Sequence, residues 1–192
     1  VQVPSAQMEE ENTRFWEQYW PLDTFRVTAE DVKKTSLINT EHQRKRCAAT
    51  LTFADFIDSL KLSVVTSPMV SEQRARVIQM TQKTNQFNFT TQRLVSIPSD
   101  VEVFTTHVAD KYGDYGLVGV AFCSFTSNCL VLENMLMSCR VLGRGVEAQM
   151  LGSVGSEALN RGLEHVAIHF QQTERNQPAR DFLDLHGLFP RD

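Results

Sequence analysis

Between Cys129 and Val141 the chain is a run of β-favouring residues, and it passes through Arg140-Val141-Leu142-Gly143-Arg144-Gly145 straight into a helical pattern from Val146 to Arg161. Glycines let a backbone come close to a ligand. Successive N–H groups at a helix N-terminus point at that ligand, and the helix dipole with two arginines favours a negative charge there. The segment reads as a phosphate cradle; a plain strand-to-helix turn is the other reading.

Composition bounds what such a cradle serves. With 192 residues, 42% of them apolar, the chain can bury a sizeable core and is read as one domain plus an appendage. Its formal net charge of −4 leaves no basic stripe to neutralise a nucleic-acid backbone. The cluster Arg44-Lys45-Arg46 is read as a solvated helix face. No apolar run reaches the length of a membrane span and no signal peptide is recognisable, so a cytoplasmic protein with no membrane partner is expected. The four cysteines (Cys47, Cys123, Cys129, Cys139) have no metal-ligand spacing; they are read as reduced thiols, and no metal is expected.

The pattern changes near residue 60. Before it, Glu9 to Tyr19 and a stretch opened by Thr28-Ala29-Glu30-Asp31 and running to about Thr50 are helical, and Thr52-Phe53-Ala54-Asp55 opens a short helix ending near Leu60. Phe15, Trp16, Trp20 and Phe25 crowd this first part, and aromatics that dense imply a surface to cover. Residues 1–60 are therefore taken as a helical connector and 61–192 as the main domain. There the chain reads as strand 61–68, helix 71–86, strands 101–109, 117–125 and 129–141, helix 146–161, strand 163–171, helix 177–186 and a short last strand. The turns fall at Tyr112 to Gly116 and at Thr126-Ser127-Asn128. That order predicts an α+β fold, a mixed β-sheet flanked by helices.

Arg-x-x-Gly-x-Gly between strand and helix resembles the pyrophosphate loop of the Gcn5-related N-acetyltransferase (GNAT) fold, and the element order is similar to that fold. The blocks Gln82-Lys83-Thr84-Asn85-Gln86-Phe87-Asn88 with Thr90-Thr91-Gln92-Arg93, Gly113 to Val120, Ser138 to Glu147, and Thr173-Glu174-Arg175-Asn176 with Arg180-Asp181-Phe182 resemble FkbH-like proteins across residues 61 to 189. The resemblance implies that a phosphopantetheine, on coenzyme A or an acyl carrier protein, sits on Arg140 to Gly145. It also implies polyketide chemistry, in which a glyceryl unit is loaded onto the carrier protein in company with a HAD-like phosphatase domain or a polyketide synthase module. The Asp-x-Asp-x-Thr nucleophile of that phosphatase is not found in this chain, so no phosphatase activity is assigned.

Several side chains are candidates for the chemistry. Cys139, at the end of the strand leading to the cradle, is the candidate nucleophile for holding an acyl group; a small buried side chain is the other reading. His169 on the next strand is a candidate base or a structural histidine. Glu133, six residues before Cys139 and on the same strand face, is a candidate base or a solvated charge. Asn176 resembles the GNAT asparagine that contacts the pantetheine arm, and is equally a helix cap. Asn85, Gln86 and Asn88 are candidate substrate contacts or caps of the preceding helix. Leu183 stands where family members carry a tyrosine, which counts against protonation of a leaving thiolate. An acetyl-CoA-dependent N-acetyltransferase and a non-catalytic carrier-protein docking module are the alternatives.

Overall fold

The computed structural model describes residues 51–188, which lie in the second of the chain's two units, 44–192. The helices expected over Glu9 to Tyr19 and from Thr28 to about Thr50, and the last short strand, fall outside the described residues.

Helix α1 (Phe53–Leu60) starts where Thr52 Oγ1 accepts the Asp55 N–H, and it stops at Lys61 in the left-handed conformation (φ 52°). Strand β1 (Ser63–Pro68) follows, then a 3-10 turn (Ser71–Gln73) and α2 (Arg74–Lys83). The expected helix over 71–86 is thus shorter at both ends. Strands β2 (Glu102–Asp110), β3 (Gly113–Phe125) and β4 (Cys129–Met137) form an antiparallel meander, and α3 (Val146–Asn160) crosses over to β5 (His165–Ile168), which lies parallel to β4. Helix α4 (Gln177–Leu185) closes the described part. The sheet order is β1-β2-β3-β4-β5, the expected α+β mixed sheet with helices on both faces.

Apolar residues that alternate along the strands supply both faces. On one, Val77 and Met80 of α2 pack with Val103, Leu117, Val120, Phe122 and Leu136. On the other, Val146, Met150, Val154 and Ala158 of α3 and Ala179 and Leu183 of α4 pack with Val118, Ala121, Cys123, Leu132, Met135 and Met137. A Cβ on Gly119 would stand 2.7 Å from Met150 Sδ and 3.0 Å from Thr106 Cβ, so the glycine sets how closely α3 lies on β3. Burial of this kind contributes about 25 cal/mol per Å2 of apolar surface.

Two boundaries differ from the sequence pattern. The β2–β3 turn is only Lys111-Tyr112, because Asp110 Oδ1 accepts the Tyr112 and Gly113 N–H groups at 2.8 and 3.0 Å and closes it early. Strand β4 ends at Met137. The Ser138 N–H goes to Val118 O and the Val141 N–H to Ser138 O, which turns 139–141 into a 3-10 segment.

Strands β4 and β5 pair only over Cys129–Leu132 and His165–Ile168. Beyond that they part, and Phe87 to Phe89 fill the gap. The Phe89 N–H donates to Met135 O and the Met137 N–H to Phe87 O, while from the other side the Gln171 N–H donates to Phe89 O. Rings of Phe170, Phe89, Phe87 and Phe182 follow one another at centroid distances of 5.9, 5.7 and 5.5 Å. The strand expected to reach Gln171 therefore stops at Ile168, since past His169, whose N–H still donates to Leu132 O, its neighbour is this segment and not β4.

Candidate functional site

The cradle is built by two glycines that other residues would adopt only under strain. Gly143 (φ 72°) and Gly145 (φ 78°) are both left-handed, and the space above each is open. Gly145 is the N-cap of α3 and brings no side chain to its first-turn N–H groups. Val141 is buried beneath them and Leu142 packs against the core, which anchors the turn from below.

The side chains of this turn are already engaged. Glu147, in the first turn of α3, is 7% exposed and accepts the Gly143 N–H at 2.5 Å. A carboxylate of the chain itself thus sits at the helix N-terminus, where the dipole favours it. Arg144 donates to the Tyr115 hydroxyl and lies 5.4 Å over its ring, and that hydroxyl donates to Asp110 Oδ2 at 2.7 Å. Arg140 Nε donates to Ser138 Oγ at 3.3 Å. Sequence reasoning did not single out Glu147, Tyr115 or Asp110. A first-turn glutamate following a glycine N-cap was the available signal for Glu147.

Cys139 is exposed, in the 3-10 turn that leads into the cradle. It is not the small buried cysteine that the other reading required. Cys123 is that residue: it is fully buried, and burial pushes its thiol up to about 12, with the Glu102 carboxylate adding to the shift.

Glu133 and His169 come together, apart from Cys139. Glu133 is the unpaired residue of a bulge in β4, where Phe122 pairs with Asn134 and Cys123 with Leu132. Its Oε1 accepts the Ser124 hydroxyl at 2.6 Å, and its Oε2 lies 3.6 Å from His169 Nδ1. His169 follows Ile168, the register partner of Leu132, and its N–H donates to the Leu132 carbonyl. Cys139 is six residues beyond Glu133, up to about 20 Å at strand rise, in the 3-10 turn past the strand's end. The expected pairing of His169 with Cys139 is not formed, and the shared facing of Glu133 and Cys139 fails because Cys139 lies beyond the strand.

Asn176 is also not where a ligand reaches it. It is fully buried; its Nδ2 donates to the carbonyls of Asn88, Phe89 and Gln171 at 3.0, 3.4 and 2.9 Å. Its Oδ1 accepts from Thr173 N and Oγ1 at 2.7 and 3.0 Å, and it makes no side-chain cap to α4. Asn88 is likewise buried, donating to Thr84 O at 3.1 Å and accepting the Thr91 N–H at 2.8 Å. Both amides hold the 87–89 segment in place. Asn85 accepts from Arg93 and lines an open cleft, while Gln86 is exposed. Leu183 is a core residue of α4.

Among solved structures, the chain is similar to an aminoglycoside N-acetyltransferase in complex with CoA, at 12% identity over 68% of this chain and 91% of that one, with a TM-score of 0.49. It is similar also to the ribosomal-protein-S18-alanine N-acetyltransferase from Escherichia coli, at 13% identity over 65% and 77% of the two chains, with a TM-score of 0.48. A nourseothricin acetyltransferase is similar at 19% identity over 64% and 81%, with a TM-score of 0.44. No protein-family profile matches the chain, and no curated protein sequence matches it. At these identities and scores the likenesses carry no argument about what this chain binds, which rests on its own residues.

Proposed function

We propose that this chain is a GNAT-type acyl-transfer domain that seats the phosphate of a phosphopantetheine on the turn from Arg140 to Gly145 and passes an acyl group through Cys139. The observation that carries the reading is an exposed thiol four residues before a doubly left-handed glycine turn at a helix N-terminus. Thirteen bonds separate phosphorus from sulfur in the arm, equivalent to between four and five residues of extended chain, or about 14 Å. Cys139 is inside that reach. In the transfer, the Cys139 thiolate attacks the thioester carbonyl, the carbon–sulfur bond to the arm breaks, and the departing thiolate takes a proton from solvent.

The resemblance to FkbH-like proteins makes the acyl group a glyceryl-type unit and the final acceptor an acyl carrier protein, in a polyketide system with a HAD-like partner. Intact mass spectrometry of the chain with acyl-loaded carrier protein tests this. The acyl mass should appear on the wild type and be absent from Cys139→Ala; no adduct on the wild type overturns the relay.

A second reading, transfer from acetyl-CoA to an amine, is favoured by the Glu133–His169–Ser124 cluster, whose carboxylate is placed on an open part of the sheet to take an amine proton. Under that reading Glu133→Gln abolishes turnover of an amine acceptor and Cys139→Ala leaves it intact.

A further inference from the structure

We propose that a cleft separate from the glycine turn, between the loop after α2 and the loop before α4, binds a small hydroxylated molecule through its oxyanion. Asn85, Thr91 and Arg93 form one wall and Thr173, Glu174 and Arg175 the other, around a volume of about 360 Å3. Small-molecule sites start at about that size. Every lining residue is polar or charged, so the cleft offers hydrogen bonds and field beside the apolar stems of those side chains. Neither arginine, nor Glu174, forms an ion pair among the described residues. Two guanidinium groups against one carboxylate leave the cleft net positive, and the hydroxyls of Thr91 and Thr173 and the Asn85 amide add partners for an alcohol.

The walls are fixed before any ligand arrives. Arg93 donates to the carbonyls of Thr84 (3.0 Å) and Thr81 and to Asn85 Oδ1, which pins its guanidinium at the C-terminal end of α2. Its charge is presented with little side-chain entropy left to lose. Thr91 is held at φ 55°, rare for a β-branched residue, by the bond from its N–H to Asn88 Oδ1. Across the cleft Asn176 Oδ1 holds Thr173, and the same amide reaches Asn88 O. One buried amide therefore sets the distance between the walls.

The test is an amide chemical-shift titration of the whole chain with inorganic phosphate and, separately, glycolate, against chloride at constant ionic strength. Saturable shifts at Thr91 and Thr173 to Arg175 are expected with the oxyanions and not with chloride. Tighter binding of phosphate marks a phosphate ester as the natural group, and tighter binding of glycolate marks a hydroxy acid. Arg175→Gln, at an exposed position, should weaken binding about tenfold, one charge-assisted hydrogen bond's worth. Glu174→Gln should strengthen it. Shifts that do not saturate, survive Arg175→Gln unchanged, or weaken in Glu174→Gln overturn the proposal. Shifts confined to Gly143–Glu147 also overturn it and leave the glycine turn's reading intact.

Discussion

Replacing Glu147 with glutamine should move stability and anion affinity in opposite directions. The carboxylate accepts the Gly143 N–H at 2.5 Å from a nearly closed position in the first turn of α3. A charge-assisted hydrogen bond is worth ~1.5–3 kcal/mol and a neutral one ~0.5–1.5 kcal/mol. The amide keeps the geometry and loses the difference, about 1 kcal/mol, plus ~0.3–1 kcal/mol of favourable interaction with the helix dipole. A domain of this size would melt a few degrees lower, at roughly 2–4 °C per kcal/mol. For an incoming phosphate the sign reverses. Two like charges about 5 Å apart repel by ~3 kcal/mol at an effective dielectric of ~20. Even half of that, lifted by the substitution, is roughly a tenfold gain in affinity. Calorimetric titration with coenzyme A beside a thermal melt reads both quantities. A variant that melts lower and binds coenzyme A no better, or worse, would refute the idea that Glu147 competes for the phosphate position and leave it as a brace of the turn.

Further consequences are open to simple measurement. At neutral pH a thiol reagent should label Cys139 readily and Cys123 only on unfolding, because one is exposed and the other is buried with its thiol raised to about 12; peptide mapping that finds Cys123 labelled in the folded chain contradicts the core assignment. Asn176→Ala leaves the Asn88 and Gln171 carbonyls and the Thr173 N–H without the amide, while Phe89 O keeps the Gln171 N–H, and at ~1–3 kcal/mol for each group left unsatisfied it should destabilise by at least ~3 kcal/mol in urea unfolding; a loss under ~1 kcal/mol would mean that water replaces the amide, at the scale of one ordinary hydrogen bond. Glu102 is held below the usual carboxylate range by its hydrogen bonds from Arg161. A depressed folded-state value gives stability that is present above the unfolded carboxylate pKa and lost as pH falls through the folded one, so acid should weaken the wild type more than Arg161→Met; equal acid sensitivity of the two excludes a contribution from the pair.

The order of strands and helices was legible because each element carries its own period. Val120 to Cys123 alternates between the two faces, and Val146, Met150 and Val154 recur on one helix side. The Thr52 cap was equally local. What was not legible depends on contacts from elsewhere. The end of β4 is decided by the bond from Ser138 to Val118, on a neighbouring strand, which places Cys139 outside the sheet. Asn176 has the local signature of a helix cap, yet its amide faces the 87–89 segment. The bulge at Glu133 is a matter of register against β3, and it brought the carboxylate to His169 rather than toward Cys139. For the glycine turn, sequence showed the backbone and not its occupants: Glu147 and the Asp110–Tyr115–Arg144 chain need three dimensions to meet.

The bond from Asn176 to Asn88 joins residues 88 positions apart, and it orders the assembly of the molecule in time. Closing a loop of that length costs about 4 kcal/mol of chain entropy, well above the cost of the hairpins that make β2, β3 and β4. During synthesis the meander and its backbone bonds to residues 87–89 can form as soon as β4 has emerged, but the Asn176 bonds that brace this wedge wait for the start of α4. Wherever the wedge comes away, Met135 O and Met137 N lie on an open strand edge, able to pair with another chain. A form lacking residue 176 would hold the wedge less firmly on that edge, so α4 helps to protect the sheet against self-association as well as completing its core.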